Sequence, residues 1–155
     1  MFNTFQSAYR KFHSTETTLL ALHDYLIRAI SRQQVTCLCL LDLSAAFDTI
    51  DHSILLRRLT DWFGITGTAH LWFQSYLSSR SFTVSSDGHL STSTPLSCGV
   101  PQGSVLGPLL FIIYTTPLST LLSKTTVDHH LYADDTQLFI SFSPSQFSTS
   151  INHLQ

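Results

Sequence analysis

Apolar positions recur along this chain with two different periods, and each change of period marks a new element. Ser14 is a residue type that caps helix N-termini. After it, Leu19, Leu22, Leu26 and Ile30 keep helical spacing to about Arg32, with Glu16 in the first turn. Val35 to Leu41 is then apolar throughout except for Thr36. Such an unalternating run predicts a strand buried on both faces, ending at Asp42. Ser53 is expected to cap a second helix carrying Leu55, Leu56, Leu59, Trp62 and Phe63, with Gly64 as its stop. A third helix is expected from Thr68 to Leu77. Phe82 and Val84 then alternate with polar residues, Asp87-Gly88 is a hairpin-turn pair, and Leu90 to Leu96 returns as a weaker strand with Pro95 at an edge. The loop Cys98–Ser104 leads to Pro108, which suits the start of a helix reaching to about Leu122, its apolar stripe read as core. His130–Ala133 and Gln137–Ile140 flank Asp134-Asp135, a hairpin with two carboxylates at its tip. Pro144 opens a last helix, with Phe147, Ile151 and Leu154 on one face. The order α-β-α-α-β-β-α-β-β-α predicts an α+β fold with helices on one face of a small sheet.

Composition narrows the class. At 155 residues, 43% hydrophobic and net charge −2, the chain is long enough for one domain with a real core and too apolar for disorder. Only 12% of residues are charged, and 22 Ser and 19 Thr supply the polarity instead. The longest apolar stretch, Val105–Tyr114, holds Gly107 and Pro108 and falls short of the ~20 residues of a membrane span. The first residues lack the basic start and apolar core of a secretory signal. Three Cys, with Cys37-x-Cys39 off any zinc spacing, fit a reduced intracellular compartment. The eight His are scattered without a zinc pattern. A pI near 6.4 argues against gripping nucleic acid by bulk positive charge and leaves a local basic groove open. Arg57, Arg58 and Arg80 read as a solvated face, the alternative being contact with a nucleic acid backbone.

The acidic residues are lopsided, nine Asp against one Glu. Five of the Asp fall in two segments: Asp42, Asp48 and Asp51, then Asp134 and Asp135. If the strand ending at Asp42 neighbours the later hairpin, three carboxylates converge at one sheet edge. Two unit charges 4 Å apart repel by roughly 4 kcal/mol at an effective dielectric near 20, so a proton or a divalent cation is needed among them. Oxygen-only ligands suit Mg²⁺ or Mn²⁺, and such clusters serve two-metal phosphoryl transfer. The alternative is a surface Asp-Asp turn with Asp42 as a helix cap. Asp48, Asp51 and His52 read as caps of the next helix or as orienting groups.

Four segments carry a resemblance that weighs against the alternative. Leu40-Leu41-Asp42-Leu43-Ser44-Ala45-Ala46-Phe47-Asp48-Thr49-Ile50-Asp51-His52 resembles the first palm motif of non-LTR (LINE-type) retrotransposon reverse transcriptases. Gly99-Val100-Pro101-Gln102-Gly103-Ser104-Val105-Leu106-Gly107-Pro108 resembles their second, and Leu131-Tyr132-Ala133-Asp134-Asp135-Thr136 their aromatic-x-Asp-Asp motif. Gln6-Ser7-Ala8-Tyr9-Arg10 with His13-Ser14-Thr15-Glu16 resembles a stretch of the fingers. The order and the intervals are those of the family. Group II intron-type and telomerase-type reverse transcriptases are the other palm polymerases to weigh, and the wording around Asp42 and Gln102 fits the LINE type better.

The resemblance implies a right-hand polymerase: a ferredoxin-like palm with an antiparallel sheet and helices on one face, part of the fingers, and the thumb missing. Residues 1–34 would be fingers, 35–142 mainly palm with the central hairpin region, and 143–155 the start of a palm helix. Asp42 and Asp134 would hold two Mg²⁺ or Mn²⁺ ions, with Asp135 more peripheral and the Leu43 carbonyl a further ligand. Phe47 would be an aromatic gate under the incoming sugar. Gln102 and Gly103 would approach the nucleotide, and Arg10, with Lys11 as the weaker candidate, would meet its triphosphate. The implied partners are an RNA template, a DNA primer and a deoxynucleoside triphosphate, with no membrane. The competing reading is a catalytically inactive retroelement remnant, at most a weak nucleic-acid-binding fold.

Overall fold

The helix signal at Ser14 is realised as a reciprocal cap. In the computed structural model, which describes residues 3–147, the Ser14 hydroxyl accepts the Thr17 N–H at 3.3 Å and the Thr17 hydroxyl oxygen accepts the Ser14 N–H at 2.9 Å. Helix α1 runs Thr15–Ser31. Its apolar stripe is not covered as its spacing suggests: Leu19 and Ile30 are exposed, and the buried residues of the helix are Thr18 and Ala29.

Strand β1 spans Val35–Asp42 and does end at Asp42. The expectation of burial on both faces fails: no residue of β1 is buried. Among the described residues β1 pairs with one neighbour, at the edge of a three-stranded antiparallel sheet of order β1-β7-β6, where β6 is Asp128–Tyr132 and β7 is Asp135–Phe142. Leu38, Leu40 and Leu41 are exposed. Tyr25 of α1 meets Phe139 of β7 edge to face, with ring centroids 4.6 Å apart.

Helix α2 is His52–Phe63, and its cap is Asp51 rather than Ser53. Asp51 Oδ1 accepts the Ile54 N–H at 2.9 Å, and the Ser53 hydroxyl donates to the same oxygen at 2.6 Å. The carboxylate reaches the orphan N–H of the first turn, and the serine one turn-step later is left to support it. Gly64 ends the helix at φ 65, as its position predicts. Helix α3 is Gly67–Leu77. The two strands expected next are broken into four of two residues each. These are β2 (Ser81–Phe82) paired with β5 (Thr94–Pro95), and β3 (Ser85–Ser86) paired with β4 (His89–Leu90). Asp87 and Gly88 turn the inner pair, both at positive φ.

Helix α4 is Gly107–Leu122 and continues past Pro117, which the apolar pattern does not register. Leu110, Phe111, Ile112 and Ile113 are buried in succession, so this part of the helix is enclosed all round. After β7, Pro144–Gln146 form a 3-10 turn and Phe147 follows in helical conformation; the rest of the expected last helix, with Ile151 and Leu154, lies outside the described residues. Among the described residues no helix is long and apolar enough to cross a membrane.

The α+β class stands, but the chain is gathered into two compact units rather than one. The first is Ser44–Thr115, with α2, α3, the short strands and most of α4. Its core joins Ile50, Leu55, Leu59, Leu77, Val100, Leu110 and Phe111. The second is formed by the segments before Ser44 and after Thr115, with α1 and the three-stranded sheet.

Candidate active site

Within the second unit, strand pairing brings the acidic segments together. Antiparallel register sets Asp42, the last residue of β1, opposite Asp135, the first residue of β7. Directly opposed residues project from the same face of a sheet. Asp135 in turn pairs with Tyr132 at the end of β6, so Ala133 and Asp134 form a two-residue turn. Only Asp134 therefore lies in the turn itself, and Asp135 belongs to the strand. Asp134 is half-buried, whereas Asp42 and Asp135 are exposed. Among the described residues no three His, Cys, Asp or Glu side chains are gathered tightly enough to hold an ion. Strand pairing sets Asp42 opposite Asp135, and Asp134 precedes Asp135 in the turn. The donor chemistry, hard oxygens on short side chains, suits Mg²⁺ or Mn²⁺.

The segment before α1 backs this turn. The Leu131 N–H donates to the Phe5 carbonyl at 2.8 Å and the Ser7 N–H to the Leu131 carbonyl at 3.0 Å, so the segment runs parallel to β6. Tyr9 follows at φ 57. Burial, and after it the Asp134 carboxylate and the Tyr132 phenol, hold the Tyr9 phenol above its ordinary range. Nothing in the spacing of the sequence singled out Tyr9 or Gln6 beyond their place in the stretch that resembles the fingers. Arg10 Nη1 donates to the carbonyls of Asn3 and Gln6 at 2.9 Å and of Thr4 at 3.4 Å, which ties its guanidinium to its own segment. Lys11 Nζ lies 4.8 Å from the centroid of the Phe12 ring.

Two histidines on β6 are held by hydroxyls. His129, buried, lies 2.6 Å from Ser119 Oγ, and His130 lies 2.9 Å from Ser7 Oγ. Burial lowers both imidazoles below their ordinary value.

The first unit carries the other motif residues. Phe47 is half-buried and stacks on Phe111 with centroids 4.9 Å apart. Asp48 Oδ1 accepts from Gln102 Nε2 at 3.1 Å, and His52 Nε2 lies 2.7 Å from the Gly99 carbonyl. The expectation that Asp48, Asp51 and His52 cap or orient is met by these contacts. The glycines of the loop divide by role. A Cβ on Gly99 would stand 3.0 Å from the Asp48 carbonyl oxygen, and one on Gly107 would stand 2.9 Å from that of Pro101. Gly99 lets the loop pack against the Asp48 backbone, and Gly107 lets the start of α4 approach the Pro101 carbonyl. Gly103, at φ 75, faces open space. Arg58 and Arg80 are not simply solvated. The Arg58 guanidinium donates to the Tyr114 carbonyl and lies over its ring, and Arg80 Nε donates to the Tyr76 carbonyl at 2.6 Å.

The family model described as reverse transcriptase (RNA-dependent DNA polymerase) matches residues 1–155. The chain belongs to that family, whose members are nucleotidyltransferases, and within it to the non-LTR retrotransposon type. It is 34% identical over 137 residues to the RNA-directed DNA polymerase from mobile element jockey of Drosophila melanogaster, covering 85% of this chain and 15% of that protein. It is 30% identical over 141 residues to the probable RNA-directed DNA polymerase from transposon BS of the same organism, covering 88% of this chain and 15% of that protein. The chain thus spans about 15% of the length of these relatives. Its fold is similar to that of telomerase from Candida albicans, solved in complex with a fragment of telomeric RNA. The TM-score there is 0.61 at 14% identity, over 97% of this chain and 29% of that one.

Proposed function

We propose that this chain carries the catalytic carboxylates of an RNA-directed DNA polymerase, acting on an RNA template, a DNA primer and a deoxynucleoside triphosphate. The observation that carries the reading is the register of Asp42 opposite Asp135, with Asp134 in the adjoining turn. Asp42 and Asp134 would hold two Mg²⁺ or Mn²⁺ ions, supported by Asp135 and the Leu43 carbonyl. When bound, the ions lower the charge of the phosphates and favour the attacking alkoxide of the primer 3′-hydroxyl. The protein's part is to fix the carboxylates at a sheet edge, where backbone pairing sets their spacing, and to leave that edge open to substrate. Residues 1–34 are read as fingers and 35–142 mainly as palm. The nucleic-acid partners are supported by the family and by the telomerase likeness.

In the other unit, Phe47 is read as the sugar gate and Gln102 with Gly103 as the nucleotide loop. Arg10 and Lys11 are read as triphosphate contacts, for which Arg10 would have to exchange its carbonyl partners for phosphate oxygens.

Primer extension on poly(rA)/oligo(dT) with Mg²⁺ or Mn²⁺ tests the reading. Extension that disappears in Asp134→Ala is expected, and signal that survives this change refutes it. In an active preparation, Phe47→Val should raise ribonucleotide incorporation; unchanged sugar selectivity would remove the gate.

A second reading is an inactive retroelement remnant. An absence of extension, with folding intact, would select it.

A further inference from the structure

Gln6 is the most enclosed polar side chain of the second unit, only 1% exposed. Its carboxamide is spent on the turn that carries Asp134. Oε1 accepts the Ala133 N–H at 3.1 Å and the Ala8 N–H at 2.9 Å, and Nε2 reaches the Ala133 carbonyl at 3.4 Å. Both backbone polar groups of Ala133 are thus addressed by one side chain, from 127 residues away in sequence. Ala133 stands at φ 55, the first central position of a two-residue hairpin turn, where glycine is the ordinary choice. A residue with a Cβ persists in that region only when its surroundings over-determine it. The backbone bonds of Phe5 and Ser7 to Leu131 anchor the clamp on both sides, so Gln6 cannot withdraw without breaking a parallel bridge.

We propose that Gln6 is a positioning residue: its carboxamide holds Ala133 in the left-handed turn and thereby sets where Asp134 and Asp135 present their carboxylates to a divalent cation. The proposal rests on the reading of those carboxylates as a metal centre. Gln6 touches neither metal nor substrate. It acts through the Ala133 backbone, as the groups behind metal ligands orient the ligands themselves.

The test uses the full 155-residue chain, Mn²⁺ alone as the probe, and two measurements: Mn²⁺ affinity by electron paramagnetic resonance, and amide hydrogen exchange at Ala133. Gln6→Met keeps the length of the side chain and removes its hydrogen bonds. It is expected to weaken Mn²⁺ binding about 10-fold and to speed Ala133 exchange by a similar factor, while the Leu138 and Ile140 amides stay protected. Gln6→Glu, which retains the accepting oxygens, should keep Ala133 protected. If Gln6→Met does not fold, Gln6→Asn is read instead. Its head stops one methylene short of Ala133 but keeps polar groups for water, and the same two shifts are expected. Faster Ala133 exchange with unchanged Mn²⁺ affinity overturns the proposal. Mn²⁺ binding that survives Asp134→Asn overturns the metal-centre reading, a failure distinguishable from that of Gln6 alone.

Discussion

The two units bury different things. Of the fourteen buried hydrophobic residues among those described, ten lie in Ser44–Thr115, including Ile50, Leu55, Leu59, Leu110 and Phe111. The buried polar residues are Gln6, Ser7, Thr18, Ser119, His129 and Thr136, and every one belongs to the other unit. An apolar cluster is stabilised by area and tolerates small changes of orientation, since dispersion and hydrophobic burial are not directional. A buried amide or imidazole is stable only in an arrangement that satisfies its donors and acceptors. The unit with the polar interior is also the unit that carries Asp42, Asp134 and Asp135. Polar burial there stabilises less per residue, but it specifies the backbone geometry of a turn more narrowly.

The largest expected effect tests the apolar side of this contrast. Phe111→Ala should destabilise by about 3–5 kcal/mol, read as a lowered urea midpoint, because it empties the centre of the cluster and removes the stacking partner of Phe47. A midpoint shifted by less than a Leu-to-Val-sized change would break the assignment of Phe111 as core. Gly99→Ala should cost about 2 kcal/mol, since φ 86 is unfavourable for any Cβ and the added carbon meets the Asp48 carbonyl. Full stability in that variant would show that the loop can shift away from Asp48. Asp51→Ala should lower the urea midpoint by less than Gly99→Ala does, by leaving the Ile54 N–H of α2 without its cap, and Asp51→Asn should recover most of it.

The smallest effect is a pH dependence, and it separates the units. Burial is the chief cause that holds the His129 and His130 imidazoles below their ordinary value in the fold. The unfolded chain therefore takes up protons first. Their contribution is complete above the ordinary imidazole value of 6.5 and is lost as pH falls below it. The Asp51 carboxyl is held below its ordinary range, first by the Ser53 hydroxyl and then by the Ile54 N–H. Its contribution is present above the ordinary carboxylate value and is lost only as pH falls through the lower, folded one. Amide protection of β6 and β7 should therefore decline between pH 7.5 and 5.5 while that of α2 holds. Replacing both histidines with Gln should flatten the decline in β6 and β7; a slope that remains would place its cause elsewhere.

Much of this was legible along the chain because it depends on neighbours in sequence. The cap at Ser14, the stop at Gly64, the turn at Asp87-Gly88 and the end of β1 at Asp42 are local rules, obeyed where they are written. The carboxylate group was legible as a condition, that two distant segments be neighbours in a sheet, and the register of Asp42 with Asp135 meets it. What failed were inferences from apolar runs to burial. Val35–Leu41 reads as enclosed, but its strand lies at the edge of the sheet; the spacing of Leu19 and Ile30 reads as a buried face, but both are exposed. Hydrophobicity records what a segment can bury, and only the packing partners decide whether it does.

The sequence alone therefore carried the family resemblance, in four motifs in their order, and most element types and the identities of the acidic residues, which follow from residue type and short-range spacing. The tertiary structure decided which carboxylates face one another, which oxygen caps α2, and that Arg10 donates to the carbonyls of its own segment. It also decided that Gln6 reaches the Ala133 turn from the far end of the chain. These depend on hydrogen bonds between groups up to 127 residues apart. Such contacts leave no periodicity in a sequence, because what they require is one donor and one acceptor brought to the same place.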